Sequence, residues 1–215
     1  MITQPAAPPW VAHPRRDAAC AAELARALDA PLAVGHVLVN RGIGTPEAAR
    51  SYLDPAGEDL HDPFLLRDMD RAVERVEHAI RAGERIMVHG DYDVDGITAT
   101  FVLYSALLER GASAEYRIPH RTRDGYGLSL DAMDEAQRRG CTLVVTVDCG
   151  ITAVAAVERG RALGIETVIT DHHEPPAILP AACAVVDPLR PGCEYPFKAL
   201  AGVGVAYKLS EALLR

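Results

Sequence analysis

The chain has 215 residues, 49% of them apolar and 24% charged, with 30 acidic against 22 basic side chains and a formal net charge of −8. That length buries a sizeable core in one or two domains, the composition is that of a soluble globular protein, and the acidic balance argues against a general nucleic-acid coat. No apolar run is long enough to span a bilayer, and Met1 to Arg16 carries Pro5, Pro8, Pro9 and Pro14 where a signal peptide would be apolar, so cytoplasmic residence without a membrane partner is the expectation.

Residues 1–16 read as a flexible arm with Trp10 as a docking side chain. An alanine-rich helix is predicted from Asp17 to Leu28, and Thr45 followed by Pro46 opens a second helix through Tyr52. These make a small helical lead-in, which we bound at 1–68, ahead of a main domain at 69–215. Asp54-Pro55 and His61-Asp-Pro63 interrupt the pattern, after which Val73, Val76 and Ile80 mark an amphipathic helix from Met69 to Ala82, closed by Gly83. His78 on that helix reads as a surface histidine.

Strands and helices then alternate: strand 85–89, helix 98–110, strand 114–118, helix 129–139, strand 142–147, helix 152–163, strand 165–169, strand 184–187 and helix 199–214. Apolar strand runs alternating with helices predict an α/β fold, a mostly parallel sheet flanked by helices.

The first strand runs into Val88-His-Gly-Asp-Tyr-Asp-Val-Asp-Gly96, a histidine and three carboxylates at every second position. In extended chain, residues two apart project to one side, so His89, Asp91, Asp93 and Asp95 are expected to face one point. Carboxylates gathered there repel one another unless cations balance them, which predicts a metal site. An EF-hand loop fits poorly, because its twelfth position is Val102. A phosphatase with a strand-terminal Asp-x-Asp requires a downstream lysine, and the chain has only Lys198 and Lys208. A solvated acidic turn is the remaining bland reading.

Other strands end the same way, at Asp148, at Asp171 followed by His172-His173, and at Asp187. One such aspartate is an ordinary turn residue, but in a parallel sheet all of these ends share one edge. Adjacent histidines in extended chain point apart, so one is expected to bind metal while the other faces substrate. Mixed carboxylate and imidazole ligands suit manganese, with magnesium, iron or zinc as alternatives. Two ions bridged by a shared carboxylate would generate a hydroxide and offset charge on a phosphoryl group. The five cysteines, Cys20, Cys141, Cys149, Cys183 and Cys193, are odd in number and contain no C-x-x-C pair, so they read as buried thiols, with Cys149 set apart by following a candidate ligand. Arg117, His120, Arg121 and Arg123 followed by Gly125-Tyr-Gly127 offer charge and a ring, as a single-strand groove requires.

Val88 to Ile97, Val145 to Ile151 and Thr170-Asp-His-His-Glu174 resemble the first three motifs of the DHH phosphoesterases. His61 to Phe64, Ile118 to Leu128 and Tyr195 to Leu209 resemble the family's bacterial exonucleases, which degrade single-stranded DNA from 5′ to 3′ in repair and recombination. The resemblance implies a two-metal hydrolase using Mn2+ or Mg2+. His89, Asp93 and Asp148 would hold one ion, and Asp95, Asp148 and His172 the other. Asp148 and His173 would be catalytic, with His173 on the scissile phosphate, and Asp91 and Asp171 would orient the ligands from behind. His120, Arg121, Arg123 and Tyr126 would bind the single strand. A fourth family motif, with a further metal-binding aspartate, would lie beyond Arg215, as would a second domain and a nucleic-acid-binding module. The chain is therefore expected to be the amino-terminal part of a longer enzyme, with weak or no nuclease activity alone. A family phosphodiesterase or pyrophosphatase acting on small substrates such as pyrophosphate, cyclic dinucleotides or short oligonucleotides, and a non-catalytic metal-binding domain, are the alternatives.

Overall fold

The computed structural model describes residues 13–14, 17–54 and 60–215, so Trp10 and most of the expected arm lie outside the described residues. The chain forms two compact units, Met1–Leu60 and His61–Arg215.

In the first unit, α1 (Ala18–Ala27) starts at Asp17, whose carboxylate accepts the Cys20 amide at 2.9 Å, and α3 (Pro46–Leu53) starts at Thr45, whose hydroxyl accepts the Ala48 amide at 3.2 Å. Between them lies α2 (Leu32–Asn40), which the sequence did not announce. Its Gly35 and three valines are weak helix formers. Packing supplies what propensity lacks: a Cβ on Gly35 would stand 2.1 Å from the Ala21 carbonyl oxygen, so the glycine lets α1 and α2 touch backbone to backbone, around Leu24, Leu38 and Ala49.

The second unit begins with a 3-10 turn (Pro63–Leu65) and α4 (Met69–Ala82). Leu66 is buried in the same core as Met69 and Val76, so the boundary expected at 68/69 moves to 60/61. The elements that follow are β1 (Arg85–His89), α5 (Val94–Glu109), β2 (Ser113–Arg117), α6 (Leu130–Arg138), β3 (Leu143–Val147), α7 (Val154–Ala162), β4 (Glu166–Thr170), β5 (Ala184–Val186) and α8 (Gly202–Leu214). The strands form one sheet in the order β2-β1-β3-β4-β5, and every pairing is parallel.

Strand alternation divides the core between two faces. Ile86, Val88, Leu143, Val145, Val147, Val168 and Val186 meet α4, α5 and α8, while Met87, Val144, Ile169 and Val185 meet α6 and α7. The chain moves from β1 to β2 in one direction and then crosses to β3 in the other. This reversal opens a crevice at the carboxyl ends of β1 and β3, where open α/β sheets place their ligands. Among the described residues no helix is long and apolar enough to cross a membrane.

Candidate metal centre

β1 ends at His89, and the acidic motif does not stay extended as expected. Asp93 is the N-cap of α5, its carboxylate accepting the Gly96 amide at 3.0 Å, and Asp95 lies in the helix's first turn. The motif is a strand, a turn and a helix start, so alternation along an extended chain does not explain how its acids are gathered. The other acids arrive as the sequence implied, Asp148 directly after β3 and Asp171 directly after β4.

Two sets of ligand atoms converge, each with all members within 4.8 Å of one another: Asp91, Asp93 and Asp148, and Asp148, His172 and His173. Asp148 is common to both. His172 Nε2 stands 3.0 Å from Asp148 Oδ1 and 3.6 Å from Asp95 Oδ2. Asp91, expected to stand behind the ligands, brings an oxygen into the first set. His89, expected in that set, lies outside both, fully buried with Nε2 3.2 Å from the Gly127 carbonyl. The two histidines do not point apart, because their rings are 4.5 Å from centroid to centroid.

The donor set fits a cation. His89 Nδ1 and Asp91 Oδ1 are buried with no hydrogen-bond partner, a costly condition for polar atoms that ion coordination relieves, and buried Asp148 Oδ1 faces the His172 ring nitrogen at 3.0 Å without forming a well-directed hydrogen bond to it. Burial and the neighbouring Asp95 and Asp93 push the Asp148 carboxyl up to about 8, and burial also raises that of Asp91. Burial lowers His89 to about 4, keeping it neutral and so able to ligate. Asp148 adopts a left-handed backbone, φ 59°, which aspartate tolerates better than most residues.

Asp171 lies behind the two histidines and forms part of neither ligand set. Its Oδ1 accepts the His172 and His173 amides at 2.7 and 3.2 Å and lies 2.6 Å from His173 Nδ1, while Oδ2 accepts the Ile151 amide at 2.9 Å. Burial pushes its carboxyl up, but these bonds outweigh that and hold it below the usual range. In return the hydrogen bond with Asp171 raises His173 to about 9. Asp187 is buried, accepts the Leu189 amide at 2.7 Å and forms part of neither ligand set, so it keeps the turn role its position suggested. Cys149 is a packing thiol, fully buried, with Sγ 3.7 Å from the His89 carbonyl oxygen.

The cationic segment splits in two. Arg117 turns inward to Glu135 at 2.8 Å and Asp124 at 3.5 Å. Arg123 is exposed but pairs with Asp124 at 2.8 Å, and His120 Nδ1 lies 3.2 Å from the Thr122 hydroxyl. Arg121 has its guanidinium carbon 4.6 Å from the centroid of the Tyr92 ring. Tyr92 meets Tyr126 edge-on at 6.2 Å, and the Tyr126 hydroxyl lies 3.1 Å from His173 Nε2. An aromatic file thus leads from the loop to the acids. Tyr92 was missed because its neighbours in the motif drew attention as ligands. A second omission is backbone: the Gly202 and Val203 amides, at the start of α8, donate to Asp95.

Residues 85–214 match the DHH family, N-terminal domain. The chain is 46% identical over 181 residues to the single-stranded-DNA-specific exonuclease RecJ of Bacillus subtilis, covering 84% of this chain and 23% of that protein. To RecJ of Escherichia coli it is 48% identical over 149 residues, covering 69% of this chain and 26% of that protein. The crystal structure of RecJ in complex with Mn2+ from Thermus thermophilus superposes with a TM-score of 0.69 at 32% identity, over 92% of this chain and 27% of that one. The chain therefore spans about a quarter of the length of the curated relatives it matches.

Proposed function

We propose, from the premise that this chain belongs to the DHH family, that it is the amino-terminal catalytic part of a metal-dependent exonuclease. The enzyme would remove nucleotides from the 5′ end of single-stranded DNA, in the cytoplasm, during repair and recombination. One observation carries the reading: buried Asp148 is common to two convergent ligand sets. The names of the relatives supply the substrate class, and the Thermus thermophilus structures of RecJ in complex with Mn2+ and with Mg2+ support manganese or magnesium as the ion.

Asp93 and Asp148 would hold one ion together with Asp91 or His89, and Asp148, His172 and Asp95 the other. When bound, the ions would supply Lewis acidity for activating water and positive charge for the phosphoryl oxygens. Asp171 holds the His173 ring through Nδ1 and the backbone at His172, and keeps the His173 imidazole protonated at neutral pH, so that it can donate to a scissile phosphate. Arg121 is the loop cation best placed for the backbone of the strand, with Tyr92 and Tyr126 as faces for bases, while His120 and Arg123 would lie at the rim.

The test is calorimetric Mn2+ binding paired with hydrolysis of 5′-labelled and 3′-labelled single strands, on this chain and on the longer enzyme to which the proposal assigns it. Mononucleotide release from the 5′ end by the longer enzyme, lost in Asp148→Asn, is expected. Hydrolysis of cyclic dinucleotides with none of single strands would replace the reading with a small-substrate one. Hydrolysis untouched by Asp148→Asn would remove the site.

A further inference from the structure

Helix α8 has no side chain to cap it, because its N-cap residue is Ala201. The first amides of a helix have no intrahelical acceptor and must be satisfied elsewhere. Here the Gly202 amide donates to Asp95 Oδ2 at 2.8 Å and the Val203 amide to Asp95 Oδ1 at 2.7 Å. Asp95 belongs to a different helix, α5, so the start of α8 grips by both oxygens a carboxylate that lies 3.6 Å from His172.

Gly202 makes the approach possible. A Cβ there would stand 2.3 Å from Asp148 Oδ1 and 2.5 Å from Asp148 Cβ. Glycine is a poor helix former, and its presence at the first position of α8 answers to this contact rather than to propensity. The helix has little room to shift. Val205, Leu209 and Leu213 are buried in the core that holds Leu103 and Leu107 of α5, and Lys208 Nζ donates to the His61 carbonyl at 2.7 Å and pairs with Glu211 at 2.8 Å.

We infer that Gly202 and Val203 are positioning residues of the metal centre. Their amides fix the orientation of Asp95 while leaving each oxygen a second lone pair, and the positive end of α8 offsets part of the repulsion among Asp93, Asp95 and Asp148. The inference rests on the metal reading of the site given above, and deepens it by assigning the aim of Asp95 to backbone groups 107 and 108 positions along the chain.

The test compares Mn2+ affinity of this chain and two glycine variants by calorimetry, with thermal unfolding as a check on folding. Gly202→Ala is expected to weaken Mn2+ binding by about 10- to 100-fold, the usual effect of disturbing a ligand's support. Gly204→Ala, whose Cβ would lie nearest the end of the Leu200 side chain, at 3.0 Å, rather than a candidate ligand, is expected to bind as the parent does. A folded Gly202→Ala protein with parental affinity overturns the inference while leaving the metal site standing. No Mn2+ binding by the folded parent overturns the metal site itself, and the inference with it. Should Gly202→Ala fail to fold, amide NMR of the parent during Mg2+ titration decides: the Gly202 and Val203 resonances should shift on saturation, and unmoved resonances overturn the inference.

Discussion

Asp148→Asn should make the metal-free protein more stable while abolishing its response to metal. Asparagine keeps the size of the side chain and tolerates the left-handed backbone at this position, so the substitution removes the charge without straining the turn. In the folded chain the Asp148 carboxyl titrates at about 8 rather than at its ordinary 3.8, because of burial and the neighbouring Asp95 and Asp93. Between those values the folded state holds a proton that the unfolded state has released. Stability therefore falls as pH rises through that window, by up to about 1.4 kcal/mol per pH unit, and the accumulated cost is on the order of 5 kcal/mol at pH 8. Asparagine escapes this cost but still buries an amide, so the expected gain is about 2 to 4 kcal/mol at pH 8, shrinking toward zero near pH 4. Urea unfolding in chelator at pH 5 and pH 8 measures it. Saturating Mn2+ should reverse the order: at 100 times its Kd a ligand stabilises the parent by about 3 kcal/mol, and the variant should gain nothing. A variant no more stable than the parent at pH 8 in chelator, or one stabilised by Mn2+ as much as the parent, would refute the reasoning.

Asp171→Asn removes the partner that raises His173 to about 9, so the imidazole should titrate closer to its ordinary 6.5, and in the longer enzyme proposed above hydrolysis should fall more at pH 8 than at pH 6; an NMR titration showing His173 unmoved contradicts the pairing. Arg121→Ala should weaken binding of a single-stranded oligonucleotide and reduce the salt slope by about 0.7, the value of one phosphate contact on a single strand, whereas Arg123→Ala, whose partner is Asp124, should do less. Equal effects in a salt titration would mean that the loop rearranges on binding. Lys208→Met leaves the His61 carbonyl and Glu211 without their cation and should cost about 2 to 3 kcal/mol in urea unfolding; an unchanged midpoint would show that this buried lysine is not a tie.

The sheet was legible because its central strands are apolar runs ending in a polar ligand type, β1 at His89, β3 before Asp148 and β4 before Asp171. Leu143 to Val147 before Asp148 is buried at every position, and no other element type fits five such residues between two glycine-rich turns. The parallel pairing and the two covered faces followed from alternation with helices, whereas the order β2-β1-β3-β4-β5 did not, because a run of strands and helices does not say on which side of β1 the chain returns. Element starts were less legible. α5 begins at Val94 rather than 98, because Asp93 and Asp95, taken as ligands on an extended chain, also serve the helix, one as its N-cap and one in its first turn. At the other end, Ala199 to Ala201 read as helix, but α8 begins only at Gly202, where Asp95 meets its amides. In both places the residue pattern was recognised and the backbone conformation was not, since a carboxylate that binds metal and one that caps a helix look alike in sequence.

The candidate site shows the same division. Its titratable residues could be named from three linear motifs, but their grouping could not. His89 stands where a ligand was expected and faces the Gly127 carbonyl, while Asp91 enters the set it was expected to support. Arg117 looked like part of a cationic loop and is held below it by Glu135. These assignments depend on rotamers and on contacts between distant segments, and the one that bears most on the site is carried by amides, which have no letter in the sequence. Three carboxylates at the crevice are countered by no lysine or arginine within salt-bridge distance of Asp93, Asp95 or Asp148 among the described residues. The positive charge that the fold itself provides comes from His173 and from the start of α8, and the unpartnered buried oxygen of Asp91, in one ligand set with Asp93 and Asp148, marks where that provision stops and cations are needed.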